Sequence, residues 1–412
     1  MPLDGFTPWP EDTALAYRRA GHWQGRPLPG LLHDWAREHG TRTALVHGTD
    51  RLTYLQLDRR VSRTAAGLRL RGIEPGKRVV VQLPNTVEFV VVLFALMRAG
   101  AVPVLSPMSH REAETAHVVA STEAVGYVGP TVHRGFDHAA AAARIAARST
   151  SLRRILTLAP PGERAGGFSM LPGGTLSFPL HTLDEAPPAD RALDASDVAF
   201  LLASGDPAAP DPAAPPRLVP RTHDDYACQL RAAAGALPLT PQDVYLAALP
   251  ADSPVVLGGP GILGTLAAGG TVVLLDDPAP DTAFEAIERE QVTVTSLTPG
   301  RAARWLDALP GTPADLGSLR TVQLVGSAPA PDLAARLEPA LGCRVQQLYG
   351  LAEGPLLADG HPVCPADEIR VDAGELLVRG PHTVRGYYRS PGPEAHAFTP
   401  DGFLRTGVRA TG

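Results

Sequence analysis

The chain is poor in the residues that mark several common protein classes. It has three cysteines, Cys228, Cys343 and Cys364, far apart and with no CxxC pair. That spacing supports neither a disulfide framework nor a zinc ribbon. Apolar runs are short: the longest covers residues 89–97 and stops at Arg98, whereas a membrane-spanning helix needs about 20 apolar residues. The N-terminal MPLDGFTPWPEDT is acidic and lacks the apolar centre of a secretory leader, so the expected location is cytoplasmic. Basic blocks are missing and the net charge is −6, which argues against nucleic acid or an anionic membrane as partner. Lysine is nearly absent: Lys77 is the single lysine among 37 basic residues. It sits in a Gly-Lys-Arg turn before a strand, a solvated position. A Gly-x-Ser-x-Gly elbow is missing too, so no hydrolase triad is expected.

What is present describes a globular chain. The 412 residues correspond to roughly two to three folded units. Hydrophobic residues make up 44% and charged residues 19%, which excludes disorder. The 41 glycines and 42 prolines show no collagen period, so they predict many turns and long loops. Short strand patterns at 44–46 and 52–54 flank a Gly48-Thr49-Asp50 turn. Helical spacing over 58–71 ends at Gly72, followed by a continuous apolar strand at 78–83, a buried helix at 87–98 and a strand at 101–105. Strand, helix and strand at this spacing form a parallel crossover unit. The same alternation returns from 244 to 349. A proline-rich region at 158–193 joins the two halves, and from Glu368 onward strands at 375–379 and 383–389 form a small β unit. The expected division is 1–190, 191–355 and 356–412. The segment DPAAPDPAAPP (206–216) holds five prolines in eleven residues and is expected to be an extended loop, because proline has no backbone N–H to offer a ligand.

These stretches resemble the adenylate-forming ligases, and most closely the stand-alone ligases that activate 2,3-dihydroxybenzoate or salicylate. The matching pieces are FTPWP (6–10), YRRAGHWQG (17–25), LTYLQLD (52–58), RVVVQLPN (78–85), SHRE (109–112), PRTHDDY (220–226), QQLYGLAEG (346–354) and RGYYR (385–389), in the family's order. The resemblance implies two α/β subdomains plus a small distorted β-barrel. It also implies a two-step reaction, in which a carboxylate attacks Mg·ATP to give acyl-AMP and a thiol, usually of an acyl or aryl carrier protein, then takes the acyl group.

The resemblance also assigns residues. Ser204 and Gly205 are what remains of the family's Ser/Thr/Gly-rich phosphate loop, and Arg217 stands where its lysine would be; an arginine can still hold phosphate bidentately. Glu353 matches the Mg²⁺-binding glutamate and Tyr349 the aromatic that stacks on adenine. Gly326, Ser327 and Ala328 match the turn lining adenine and acid. In the acid pocket Ser253, Pro254 and Val255 replace a His-Asn-aromatic run, and Val408 replaces the aspartate that holds ribose. The chain ends at Gly412, ahead of the family's lysine-bearing C-terminal domain, so the expected fold lacks that domain. Three activities fit this residue set: adenylation of a small, aromatic carboxylic acid; an ATP-independent reaction on a pre-activated acyl group; and a non-catalytic scaffold that binds a carrier protein. Outside the resemblance, His133, Asp137 and His138 have metal-ligand residue types but sit at a helix start, and His110 and Arg111 are candidates for an anion contact.

Overall fold

The computed structural model describes residues 3–160, 162–163, 166–187, 192–204, 216–276, 279–326, 331–390 and 397–409. Two largely parallel sheets carry the architecture, with helices packed on them, as the alternating pattern implies. The first has eight strands in the order Arg217–Thr222, Val198–Ser204, Val102–Leu105, Arg78–Val81, Gly126–Pro130, Arg154–Leu158, Leu176–Pro179 and Ser169–Met170. The second has nine: His361–Pro362, Leu356–Ala358, Arg344–Gly350, Thr321–Val325, Val294–Leu297, Val244–Ala247, Thr271–Leu274, Thr43–His47 and Asp50–Thr53. The sheets trade strands across residue 190: Thr43–His47 pairs in parallel with Thr271–Leu274, and Val198–Ser204 pairs in parallel with Val102–Leu105. A three-stranded antiparallel sheet of Glu368–Asp372, Glu375–Arg379 and Leu404–Arg409 forms the small β unit, and among the described residues no sheet closes into a barrel.

Local chemistry explains the element boundaries. Thr53 and Gln56 form a capping box, with Gln56 N donating to Thr53 Oγ1 at 3.2 Å and Thr53 N to Gln56 Oε1 at 2.8 Å. The helix therefore starts at Tyr54, earlier than its apolar spacing suggests, and runs to Leu70. Tyr54, read as strand in the sequence, is instead fully buried at the helix start, its hydroxyl 2.6 Å from the Gly270 carbonyl. The Val87–Ala99 helix is apolar around nearly its whole girth and stops at Gly100, whose φ of +80° suits a glycine C-cap. The expected strand at 383–389 does not form. Its amides go to three separate partners, Val384 N to Glu353 O, Tyr388 N to Leu218 O and Arg389 N to Gly5 O, so it laces segments together rather than joining one ladder. Within 158–193, Leu176–Pro179 adds a parallel strand to the first sheet rather than serving as a plain linker. No helix among the described residues is long and apolar enough to cross a membrane.

One buried amide ties the two large sheets. Asn85 follows the Arg78–Val81 strand, and its Nδ2 reaches the carbonyls of Ala247 and Leu249 at 2.9 and 2.8 Å, while its Oδ1 accepts from Ala251 N at 2.8 Å. The partners lie at the end of the Val244–Ala247 strand in the other sheet. Replacing Asn85 by alanine strands these groups away from water at about 1–3 kcal/mol each. An Asn85→Ala variant is expected to lose about 3 kcal/mol, read as a lowered urea midpoint.

Candidate active site

The carboxyl ends of parallel strands are where open α/β sheets hold their ligands. Tyr349 lies at such an end, in the last turn of the Arg344–Gly350 strand. Gly326 follows the neighbouring Thr321–Val325 strand, and its N–H donates to Leu348 O at 3.3 Å. Ser327 and Ala328, the rest of that expected turn, lie outside the described residues. Gly350 is closely approached: a Cβ there would stand 2.7 Å from Leu356 Cδ2 and 2.8 Å from Val255 Cγ2, so one of these side chains would have to shift. Val255 is thus packed against this strand end. It belongs to the short helix Pro254–Gly258, with Ser253 at its N-cap and Pro254 in its first turn. Ser253 and Pro254 are half-buried and Val255 is buried. Val255 and Gly326 thus both lie against the strand that ends in Tyr349 and Gly350.

The charged residues form a second group linked to the first. Ser204 and Arg217 face each other across the antiparallel pair Val198–Ser204 and Arg217–Thr222; the loop between them, with Gly205 and the proline-rich segment up to 215, lies outside the described residues. Arg217 Nη1 donates to Tyr387 Oη at 3.1 Å, and its guanidinium lies 4.8 Å from the centre of that ring. Tyr387 O–H donates to Glu353 Oε1 at 2.9 Å. Arg217, Tyr387 and Glu353 therefore form one connected relay. Tyr387 had no role assigned from sequence. Its signal was the paired aromatics of RGYYR, which spacing alone cannot aim at Glu353.

Burial sets the electrostatics. Glu353 is 7% exposed, and desolvation pushes its carboxyl above the ordinary glutamate range against the pull of Tyr387, Arg217 and Arg221. Burial, with the Glu353 charge behind it, pushes Tyr349 up to about 12. The Tyr349 hydroxyl donates to Thr406 O at 3.3 Å, which brings the Arg405-Thr406-Gly407-Val408 run beside it. Val408 has no polar side-chain atom to offer a ribose.

Arg221 holds this arrangement. It is 1% exposed, and its Nε donates to Asp225 Oδ1 at 2.8 Å, Nη1 to Ala352 O at 3.1 Å and Nη2 to His382 O at 3.1 Å. Asp225 in turn completes a capping box with Thr222 that starts the His223–Ala236 helix. Thus one guanidinium fixes the strand–helix junction, the residue preceding Glu353 and the segment leading to Tyr387. The remaining candidates fall elsewhere. Lys77 is exposed in its turn, Asp137 caps the His138–Arg148 helix, His133 bonds Asp276 at 3.0 Å, and His110 pairs with Ser106 at 2.9 Å. Removing one partner of a buried pair strands the other charge at about 3–5 kcal/mol. Arg221→Met is therefore expected to destabilise the fold by that amount, measured by chemical denaturation.

With the geometry in place, comparison with known proteins becomes informative. The family described as AMP-binding enzyme matches residues 32–370. The chain is 40% identical to a 2,3-dihydroxybenzoate-AMP ligase of Bacillus subtilis, covering 99% of this chain and 77% of that protein. It is 40% identical to a salicyl-AMP ligase / salicyl-S-ArCP synthetase of Mycobacterium tuberculosis, covering 98% and 74%. The apo structure of Mycobacterium smegmatis MbtA superposes with a TM-score of 0.87 at 38% identity, over 98% of this chain and 76% of that one. The converging strand ends, the Glu353 relay and these matches lead to one conclusion: the chain belongs to the AMP-binding enzyme family of adenylate-forming ligases.

Proposed function

We propose that the protein activates an aromatic carboxylic acid as its acyl-adenylate and passes the aryl group to a carrier-protein thiol. The observation that carries this reading is sequence identity of about 40%, over nearly the whole chain, to ligases named for 2,3-dihydroxybenzoate and salicylate. The ATP-independent and scaffold alternatives draw no support from these relatives.

The site chemistry suits the assignment. Magnesium takes one or two carboxylates plus phosphate oxygens, and Glu353 is the carboxylate of the relay. Its buried position beside Arg217 and Arg221 suits a dication bridging to phosphate, because the metal would satisfy the charge that burial disfavours. Mg·ATP, when bound, supplies the electrophilic phosphorus and a neutralised triphosphate. Arg217 then stabilises phosphate charge, and Tyr387 keeps Glu353 and Arg217 in register. Ser204, opposite Arg217, is the remaining hydroxyl of the phosphate loop. Tyr349 offers its ring face to adenine. Gly326 and the helix start at Ser253, Pro254 and Val255 bound the acid. Val255 and Pro254 make that wall apolar, which suits an aryl ring without a dedicated polar anchor. Ribose is held without a side-chain acceptor at Val408.

The test is aryl-acid-dependent exchange of pyrophosphate into ATP. Salicylate and 2,3-dihydroxybenzoate are expected to stimulate it, and no exchange with any aryl acid would overturn the proposal. Glu353→Gln is expected to lower the rate about 100-fold and Arg217→Ala about 10–100-fold. The two differ in stability. A glutamate whose folded pKa is raised binds a proton more tightly when folded, so it costs stability as pH rises through the range above its unfolded value. Glu353→Gln is therefore expected to melt at or above the temperature of the parent at neutral pH without magnesium. The same shift sets an acid limb in the rate: exchange should rise with pH above the ordinary glutamate range and lose this limb in the variant.

A further inference from the structure

The sequence separates Cys228, Cys364, Asp367 and His382 by as much as 154 positions, yet the fold gathers them behind the Glu353 turn. Cys228 lies on the His223–Ala236 helix, Cys364 and Asp367 on the approach to the Glu368–Asp372 strand, and His382 just after the Glu375–Arg379 strand. One donor atom each from Cys364, Asp367 and His382 lies within 4.8 Å of the others. The Cys228 thiol neighbours that of Cys364. All four residues are out of solvent: the His382 and Asp367 side chains are 0% and 1% exposed, and both cysteines are buried.

The hydrogen-bonding pattern leaves a cation-shaped deficit. His382 Nδ1 is 3.0 Å from the Gly354 carbonyl, which can only accept, so this nitrogen carries the hydrogen. At 3.0 Å from Asp367 Oδ2, Nε2 must carry a second proton or share a metal ion with it, because a lone pair facing a carboxylate oxygen is repulsive. Asp367 Oδ1 is buried without a hydrogen-bond partner. A histidine that donates one N–H to a backbone carbonyl, and turns the other nitrogen toward further donor atoms, has the orientation of a metal ligand. Thiolate, imidazole and carboxylate are zinc's ligands, and around a tetrahedral zinc such atoms stand about 3.5 Å apart, within the spread seen here.

We propose that Cys364, Asp367 and His382 form a structural site for a thiophilic divalent cation of the zinc type, with the neighbouring Cys228, which lies outside that 4.8 Å group, drawn in as fourth donor. Binding displaces the protons of His382 Nε2 and of the thiols, and no redox change is involved. The ion joins the His223–Ala236 helix to the small sheet. Because His382 also holds Gly354, it braces the turn that carries Glu353 without touching the reacting atoms.

The test uses the tag-free chain, loaded with Zn²⁺ or Co²⁺ and gel-filtered. One equivalent of retained zinc, and a thiolate-to-cobalt charge-transfer band with tetrahedral visible bands, are the expected results. Cys364→Ser is expected to abolish the charge-transfer band or most of it, Cys228→Ser to reduce it by about half, and His382→Gln to lose metal retention. Zinc is also expected to raise the melting temperature of the parent and not of Cys364→Ser. If a variant fails to fold, cobalt titration of the parent decides alone. No stoichiometric retention by the folded parent, or an unchanged cobalt spectrum in folded Cys364→Ser, overturns the proposal and leaves a protonated His382–Asp367 ion pair in its place.

Discussion

The structure turns on a single buried cation. Arg221 sits where the antiparallel Arg217–Thr222 strand ends and the His223–Ala236 helix begins, and its donors are spent on Asp225, Ala352 and His382. A buried guanidinium must have all its donors matched, because each unmet one keeps its full desolvation cost. That demand fixes three pieces of chain at once. One carries Arg217, one carries Glu353 and one leads to Tyr387. The Arg217–Tyr387–Glu353 relay is a by-product of satisfying this one cation.

The consequence for chemistry is a carboxylate held against its preference. Glu353 is buried far enough for desolvation to outweigh two nearby arginines and a tyrosine hydroxyl. Such a group gains most from a cation that restores its charge. The other side of the strand end is apolar, where the side chains of Val255 and Leu356 crowd against Gly350.

Much of the fold was legible in the residues. Strands at 78–81, 102–105 and 271–274 lie within one or two residues of their apolar patterns, because a strand buried on both faces needs a continuous apolar run wherever it stands. Helix starts were harder. Tyr54 looked like strand until the Thr53–Gln56 capping box took it into a helix. The 383–389 segment has strand-like residues, yet its amides find three different partners, and residue type says nothing about which ladder is open. For the site, Val255 and Gly326 lie against the strand that carries Tyr349, and the sequence named all three only through the family resemblance. Tyr387 and Arg221 sat inside recognised stretches without a role, since their function is a contact and not a residue type.

The residues by themselves determined the α/β alternation, the absence of a long apolar span and the inventory of groups at the site, including the exchange of lysine for Arg217 and of aspartate for Val408. Those follow from local periodicity and from side-chain chemistry that no fold can alter. Tertiary structure alone decided that Thr43–His47 would join a sheet whose other parallel strands begin two hundred residues later, that Arg217 would stack on Tyr387, and that Cys228 and Cys364 would meet beside His382. Widely spaced cysteines argued against a metal or disulfide when read along the chain. Contacts across such separations are set by how helices and sheets pack, and packing is a property of the whole buried surface that no short window of residues contains.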